Sequence, residues 1–325
     1  MTSTIATPPL LEVRDLRKHF AVDSSGFGQP RKVVRAVDGV SLHVNPGETL
    51  GLVGESGCGK STTGRCLVRL LDPTSGSVRF QGKELTTLPS NELRAMRQHM
   101  QFIFQDPFSS MNPRMRVRDI IGEPLRNFGT PRDVIDKRVA ELLERVSLRP
   151  DAAARYPHEF SGGQRQRIVV ARALALNPKL IICDEPVSAL DVSVQAQVIN
   201  LLRDLQRDLG LAYVFISHDL SVVRYISHRV AVMYLGHIVE TGPRESVFST
   251  PTHPYTRALL SAVPEVGKRN SKTIQVLKGE IPSPSAPPSG CTFRTRCPMA
   301  QPICAEQAPP VKTVGAGHQA ACHFV

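Results

Sequence analysis

Gly54-Glu55-Ser56-Gly57-Cys58-Gly59-Lys60-Ser61-Thr62 decides the reading of this chain. The stretch fits G-x-x-x-x-G-K-S/T, the phosphate-binding loop. Glycines let the backbone turn tightly enough for successive N–H groups to point at phosphate oxygens. A helix opening directly from the loop adds about half a positive charge of dipole at its N-terminus. Lys60 supplies a point charge for the β- and γ-phosphates of a nucleotide, and the Ser61 hydroxyl can ligate Mg²⁺. The flanks agree: residues 48–53 read as a buried strand and residues 62–70 as a helix.

Upstream of the loop, residues 10–16 read as a first strand, with Phe20 after a basic pair. Residues 23–30, rich in Gly and Ser, read as a loop. Residues 33–37 and 40–44 alternate, and Asn45-Pro46-Gly47 turns into the next strand. Strands ahead of the phosphate loop predict an antiparallel β layer beside a parallel nucleotide-binding sheet.

Downstream come a short strand at 77–81, a helix at 91–98 and a strand at 100–104 that ends at Gln105. Helices at 117–127 and 132–147, with Val139, Leu142, Leu143 and Val146 at helical spacing, predict a helical insertion of about residues 106–165. A helix starts at Ser161-Gly162-Gly163-Gln164. Residues 179–183 form a continuous apolar strand, as expected inside a covered parallel sheet. Asp184-Glu185-Pro186 ends it. A helix at 194–209, a buried strand at 212–217 followed by His218, and short strands at 230–234 and 236–241 complete the core.

Composition sets limits. The 325 residues are 41% hydrophobic, enough for a full core. No purely apolar run is longer than residues 211–216, far short of the ~18–20 residues that span a bilayer. No charged-then-apolar leader opens the sequence, so a cytosolic chain is expected, attached to a membrane only through partners. The net charge is +11, of which residues 251–325 carry +5. That tail reads as a solvated basic face or as a contact for an anionic membrane or acidic partner. Nucleic acid is not expected: Trp is absent and no basic run is interleaved with aromatics.

Ligands of parallel α/β sheets sit at the carboxyl ends of strands. The loop at 54–62, Gln105, Asp184-Glu185 and His218 all lie at such ends. Asp184 can hold Mg²⁺ through water beside Ser61, and Glu185 is placed to polarise a water attacking the γ-phosphate. In isolation the pair would read as a turn cap before Pro186. Ser161-Gly162-Gly163-Gln164 reads either as a second anion-binding nest or as an ordinary helix N-cap. A second nest makes sense if it faces a nucleotide bound to another chain.

The order of 54–62, Phe104-Gln105, Phe160 to Gln164, Leu180 to Glu185, Ser188-Ala189-Leu190-Asp191 and His218 resembles that of the ABC-type ATPases over roughly residues 10–245. The resemblance implies an α/β P-loop NTPase: a RecA-like parallel sheet core with an antiparallel β layer and a helical insertion. It implies ATP and Mg²⁺, and a head-to-tail dimer with two ATPs between the subunits. Gly54, Glu55, Ser56, Gly57, Cys58, Gly59, Lys60, Ser61 and Thr62 would bind ATP. Phe20 would stack on adenine, with Phe27 as competitor and a hydrophobic staple in the β layer as the alternative. Ser161, Gly162, Gly163, Gln164 and Asp191 would face the partner's ATP. Ser61, Gln105 and Asp184 would hold Mg²⁺. Gln105 would also couple the helical insertion to a membrane partner, Glu185 would act as base and His218 would hold the γ-phosphate. A bulky thiol reagent on Cys58 is expected to block ATP binding.

Residues 250–260, 290–298, Cys304 and Cys322-His323 resemble the tail of peptide-importer ATPase subunits of the oligopeptide/dipeptide/nickel group. The expected division is a nucleotide-binding domain over 1–250 and a Pro- and Cys-rich extension over 251–325, within which a stiff linker at 282–288 leads to the cysteine group. That group implies import of di- or oligopeptides. The implied partners are a second, related but non-identical ATPase subunit, two transmembrane permeases and, through them, an extracytoplasmic binding protein. The implied location is the cytoplasmic face of the inner membrane, peripherally. Importers of nickel or a peptide-like solute, and a soluble ABC ATPase, are the alternatives. Cys291, Cys297, Cys304 and Cys322 are spaced C-x5-C-x6-C-x17-C, unlike a zinc finger. Four thiolates suit a tetrahedral site, iron–sulfur or zinc, or stay free. The resemblance favours a 4Fe–4S cluster.

Overall fold

The computed structural model describes residues 8–22, 32–262, 277 and 279–325, which fall into two compact units. One comprises residues 1–45, 49–87 and 217–325, the other residues 46–48 and 88–216. The predicted loop at 23–30, with Phe27, lies outside the described residues.

In the first unit an antiparallel sheet runs in the order Lys32–Val44, Leu11–Val22, Ser75–Phe80, Lys83–Glu84. Val13 pairs with Leu42 on one side and Val78 on the other. With Leu11, Leu16, Val40, Val44 and Phe80 these form a buried face. The first strand outruns the predicted 10–16. Bulges reset its register near Asp15 and Lys18, and Asp15 takes a left-handed φ of 46°. Phe20 therefore lies within the strand, opposite Val34.

The same unit holds Thr49–Val53, the strand that feeds the phosphate loop, buried at every residue. It runs parallel to Arg229–Tyr234, with Val53 opposite Val232. From there the order continues antiparallel through His237–Pro243, His318–Ala321 and Val311–Gly315. The last two strands form a hairpin that the sequence does not announce, because both are short, the outer one is mostly exposed and neither offers an apolar run. The proline-rich 282–288 segment is not a free spacer. Pro284 O accepts the Arg35 N–H at 3.1 Å, which ties it to the strand Lys32–Val44.

The second unit contains three parallel strands: Met100–Ile103, Leu180–Asp184 and Ala212–Ile216. Ile103 pairs with Cys183, and Cys183 with Phe215. The latter two strands are buried throughout, as a continuous apolar run predicts. This unit's α-helices among the described residues are Ser90–Arg97, which answers the helix read at 91–98, Val117–Asn127, Arg132–Arg145, Gly162–Leu174 and Val192–Leu209. Val139, Leu142 and Leu143 are buried, matching the helical spacing read from the sequence.

Candidate functional site

The phosphate loop joins the strand Thr49–Val53 to the helix Lys60–Leu67. Two of its glycines are obligatory. Gly54 has φ 152°, and a Cβ there would stand 2.2 Å from the Met233 carbonyl oxygen. Gly59 has φ 106°, and its Cβ would stand 2.0 Å from the Ala36 carbonyl oxygen. Both neighbours are backbone, so neither can yield. Lys60 is 4% exposed, and its ammonium is folded back over the loop. It donates to Gly54 O at 2.8 Å and Glu55 O at 2.9 Å, with Cys58 Sγ at 3.8 Å. The helix has no side-chain N-cap and no acidic residue in its first turn. Its N-terminal dipole is thus left for an anion. Ser56 and Gly57 are exposed and Ser61 and Thr62 half-buried on the helix's opening turn. The Cys58 thiol is buried, and burial pushes it up from its ordinary value, with Lys60 opposing. Alkylation should therefore be slower there than the motif alone suggests, since the thiolate is the nucleophile.

Glu55 has partners that no local pattern announces. Its N–H donates to the Tyr255 hydroxyl at 2.9 Å. Its carboxylate takes two hydrogen bonds from Arg296, at 2.6 and 3.0 Å. Tyr255 packs with Tyr234 and Phe293, at ring centroid separations of 4.7 and 5.4 Å. The sequence reading treats 250–260 and 290–298 as family markers and passes over Tyr255 and Arg296.

In the second unit, Gln105 and Glu185 come together at adjacent strand ends. Gln105 Nε2 donates to Glu185 Oε2 at 2.9 Å. Glu185 holds a left-handed φ of 48°, fixed by its N–H to Ile216 O at 3.0 Å. A non-glycine residue in that region is strained by about 1–2 kcal/mol, and strained residues gather at functional sites. Asp184 is the last residue of its strand and is buried. Mg²⁺ takes one or two protein oxygens and fills its shell with phosphate and water. A helix-start hydroxyl such as Ser61 and a strand-end carboxylate such as Asp184 have the right donor chemistry for it.

Ser161 caps the helix Gly162–Leu174 in a reciprocal capping box. Ser161 Oγ accepts the Gln164 N–H at 3.4 Å, and Gln164 Oε1 accepts the Ser161 N–H at 3.1 Å. Gly162 and Gly163 are helical, and neither has the positive φ of a nest. Gly163 lies against the helix Val192–Leu209: a Cβ there would stand 2.4 Å from Val194 Cγ1. Ser161, Gly162, Gln164 and Asp191 are exposed. Asp191 opens the helix Val192–Leu209 without capping it through its side chain. His218 is exposed, one residue ahead of Asp219, whose carboxylate caps the helix Leu220–Ile226. Phe20 is half-buried, with the Lys18 ammonium 5.0 Å from its ring centroid.

The four tail cysteines lie close to one another in the C-terminal segment. All are free thiols, and among the described residues no group of three or more His, Cys, Asp or Glu side chains is arranged to hold a metal ion. Cys291 N–H meets Cys304 O at 2.8 Å, so the main chains converge. Burial, with the charges of the neighbouring tail cysteines, pushes the Cys291 and Cys297 thiols up. The expected 4Fe–4S cluster, and zinc as its alternative, find no support here.

The ABC transporter family matches residues 37–188, and the oligopeptide/dipeptide transporter C-terminal region matches residues 239–304. The oligopeptide transport ATP-binding protein AppF of Bacillus subtilis is 56% identical over 320 residues, covering 97% of this chain and 97% of that one. OppF of Escherichia coli, of the same description, is 56% identical over 306 residues, 92% of each chain. Among solved structures, the dimeric post-hydrolysis state of the ATP-binding cassette MJ0796 bound to ADP and Pi is similar, with a TM-score of 0.63 and 28% identity. It covers 72% of this chain and 98% of that one. So is cbiO1 of Clostridium perfringens, part of the ABC transporter complex cbiONQ. Its TM-score is 0.65 at 26% identity, over 74% of this chain and 91% of that one. Among the described residues no helix is long and apolar enough to cross a membrane. The antiparallel sheet, the glycine-locked loop around Lys60 and the tail that grips Glu55 are thus parts of an ABC-type ATPase, and the chain belongs to the ATP-binding subunits of the oligopeptide/dipeptide transporters.

Proposed function

We propose that this subunit binds and hydrolyses MgATP to drive import of di- or oligopeptides through a pair of membrane permeases. The observation that carries ATP binding is the Lys60 ammonium, lodged inside the loop on two carbonyl oxygens beneath an uncapped helix N-terminus. Phosphate oxygens meet that charge, the loop N–H groups and the helix dipole together. Ser61 and Asp184 offer oxygens to Mg²⁺, and Phe20 offers a ring for adenine. Peptide as cargo is supported by the match of the tail region and by the names of the relatives.

In this reading residues 1–250 form the nucleotide-binding domain and residues 251–325 an importer-type extension. The working unit is a dimer with a related subunit, whose ATP meets Ser161, Gly162, Gly163, Gln164 and Asp191. It sits on the cytoplasmic face of the membrane beneath two permeases, which an extracytoplasmic binding protein feeds. Hydrolysis is in-line phosphoryl transfer, in which the protein positions groups and stabilises charge. Glu185 accepts a proton from the attacking water, Gln105 orients that carboxylate through its amide, and His218 holds the γ-phosphate. No step involves the cysteines. A general base is worth about 10²–10⁴-fold. Glu185→Gln is accordingly expected to bind ATP normally and lose turnover by that factor, as read by phosphate release and nucleotide titration. Near-normal turnover would remove Glu185 from the role.

A further inference from the structure

Glu55 follows directly on Gly54 in the loop, and it sets a carboxylate beside a site built for a polyanion. Unpaired, that charge would oppose ATP. It is not unpaired: Arg296 grips it with two hydrogen bonds, at 2.6 and 3.0 Å. The Arg296 side chain is 6% exposed and that of Glu55 23%, so water screens this pair poorly. Hydrogen bonding to Glu55 holds the guanidinium well above its ordinary value.

The base under this contact is buried and closely packed. The Arg296 guanidinium lies 5.9 Å from the ring centroid of Tyr234, whose chain neighbour Met233 abuts Gly54. Tyr255, which receives the Glu55 N–H, is fully buried at the start of the helix Pro254–Ser261. That helix is anchored through Glu240, whose carboxylate accepts the Thr252 and His253 N–H groups and bonds His318 Nε2 at 2.7 Å. The C-terminal extension therefore reaches the phosphate loop through one ion pair and one hydroxyl, both on Glu55.

We propose that Arg296 is a positioning residue for ATP: it neutralises Glu55, so that the loop presents net positive charge to the phosphates. This rests on the nucleotide-binding reading above. A carboxylate several ångströms from a polyphosphate in a half-screened site weakens binding by about 10–100-fold. In the full-length chain, Arg296→Gln is expected to raise the Kd for MgATP by that factor. Adding Glu55→Gln to the same chain removes the repelling charge and returns the Kd to within a few-fold of the wild type. A purely structural Arg296 gives the opposite result, because the buried guanidinium is missing from both proteins and the double variant stays as weak as the single one. Arg296→Lys keeps the charge but not the two-pronged grip, and should fall between.

Should Arg296→Gln fail to fold, Glu55→Gln alone decides. It leaves the Arg296 charge unopposed beside the loop, so the Kd for MgATP should fall several-fold and its salt dependence should steepen. A Kd that does not fall would overturn the proposal. Wild-type chain that bound no MgATP would overturn the nucleotide reading itself. Wild-type binding with an unchanged Kd in Arg296→Gln would overturn only the role of Arg296.

Discussion

Gly54 and Gly59 in the phosphate loop, and Gly162 and Gly163 at the start of the helix Gly162–Leu174, look alike as sequence. Both pairs stand at or just ahead of a helix start, and both read as places for phosphate. They fold for different reasons. The first two take left-handed angles, with backbone carbonyl oxygens where a Cβ would stand. The second two are helical, and one of them is small because Val194 is pressed against it. The first loop encloses its own buried ammonium. The second is an exposed capping box whose donors bond one another. One is a preformed anion cradle, and the other is a helix tip that becomes a site only if something is brought to it. The glycines separate the two states experimentally.

The largest effect is expected at Gly59. Alanine there combines about 1–2 kcal/mol of left-handed strain with a clash against an immovable carbonyl oxygen, at about 1–3 kcal/mol of overpacking. Together these cost ATP affinity roughly a hundredfold or more, measurable by nucleotide titration. Affinity near that of the wild type would mean that the loop can reshape. At Gly163 the obstacle is a valine methyl, so Gly163→Ala should lower stability by up to about 2 kcal/mol. This is the overpacking cost less the roughly 1 kcal/mol that alanine gains over glycine in a helix. Val194→Ala in the same chain should recover most of it in a denaturant titration. Failure to recover would place the strain elsewhere. Ser161→Ala should cost less again, about 0.5–1 kcal/mol, because the cap bond it removes is long and exposed.

The unequal legibility of these features has a physical cause. Lys60, Gln105, Asp184 and Glu185 were readable because each is placed by a local event: a strand ending, a glycine turn, an apolar run closing on acid. The long strand Leu11–Val22 was cut short in the reading because bulges break its alternation. The helix Leu220–Ile226 was missed although Asp219 signals its start, because it is only seven residues long. Tyr255 and Arg296 were beyond reach for another reason. They lie 200 and 241 residues from Glu55, and nothing in the chain near any of the three records the pairing. The cysteines are the conspicuous feature of that segment, while the arginine beside Cys297 makes the contact. Cysteine spacing says which ligands exist but not whether a metal ion is held by them.

The smallest effect, at Gly162, is the most discriminating. Its φ is helical, and an added Cβ would stand 3.2 Å from Leu190 Cδ2, the tip of a flexible side chain. Within the isolated subunit, Gly162→Ala should therefore be harmless or stabilise by up to about 0.5–1 kcal/mol, chiefly by restricting the unfolded chain. In the dimer the same methyl would project from an exposed helix tip toward whatever docks there. If that is the partner's nucleotide, ATP-dependent pairing of the Glu185→Gln protein with the related ATPase subunit should weaken while the thermal midpoint of the monomer holds or rises. Size-exclusion chromatography with and without MgATP reads the first, and calorimetry reads the second. Unchanged dimerisation would leave Ser161 to Gln164 as a capping box and nothing more. A fall in both would mean that the glycine serves the fold of its own subunit, as Gly163 does.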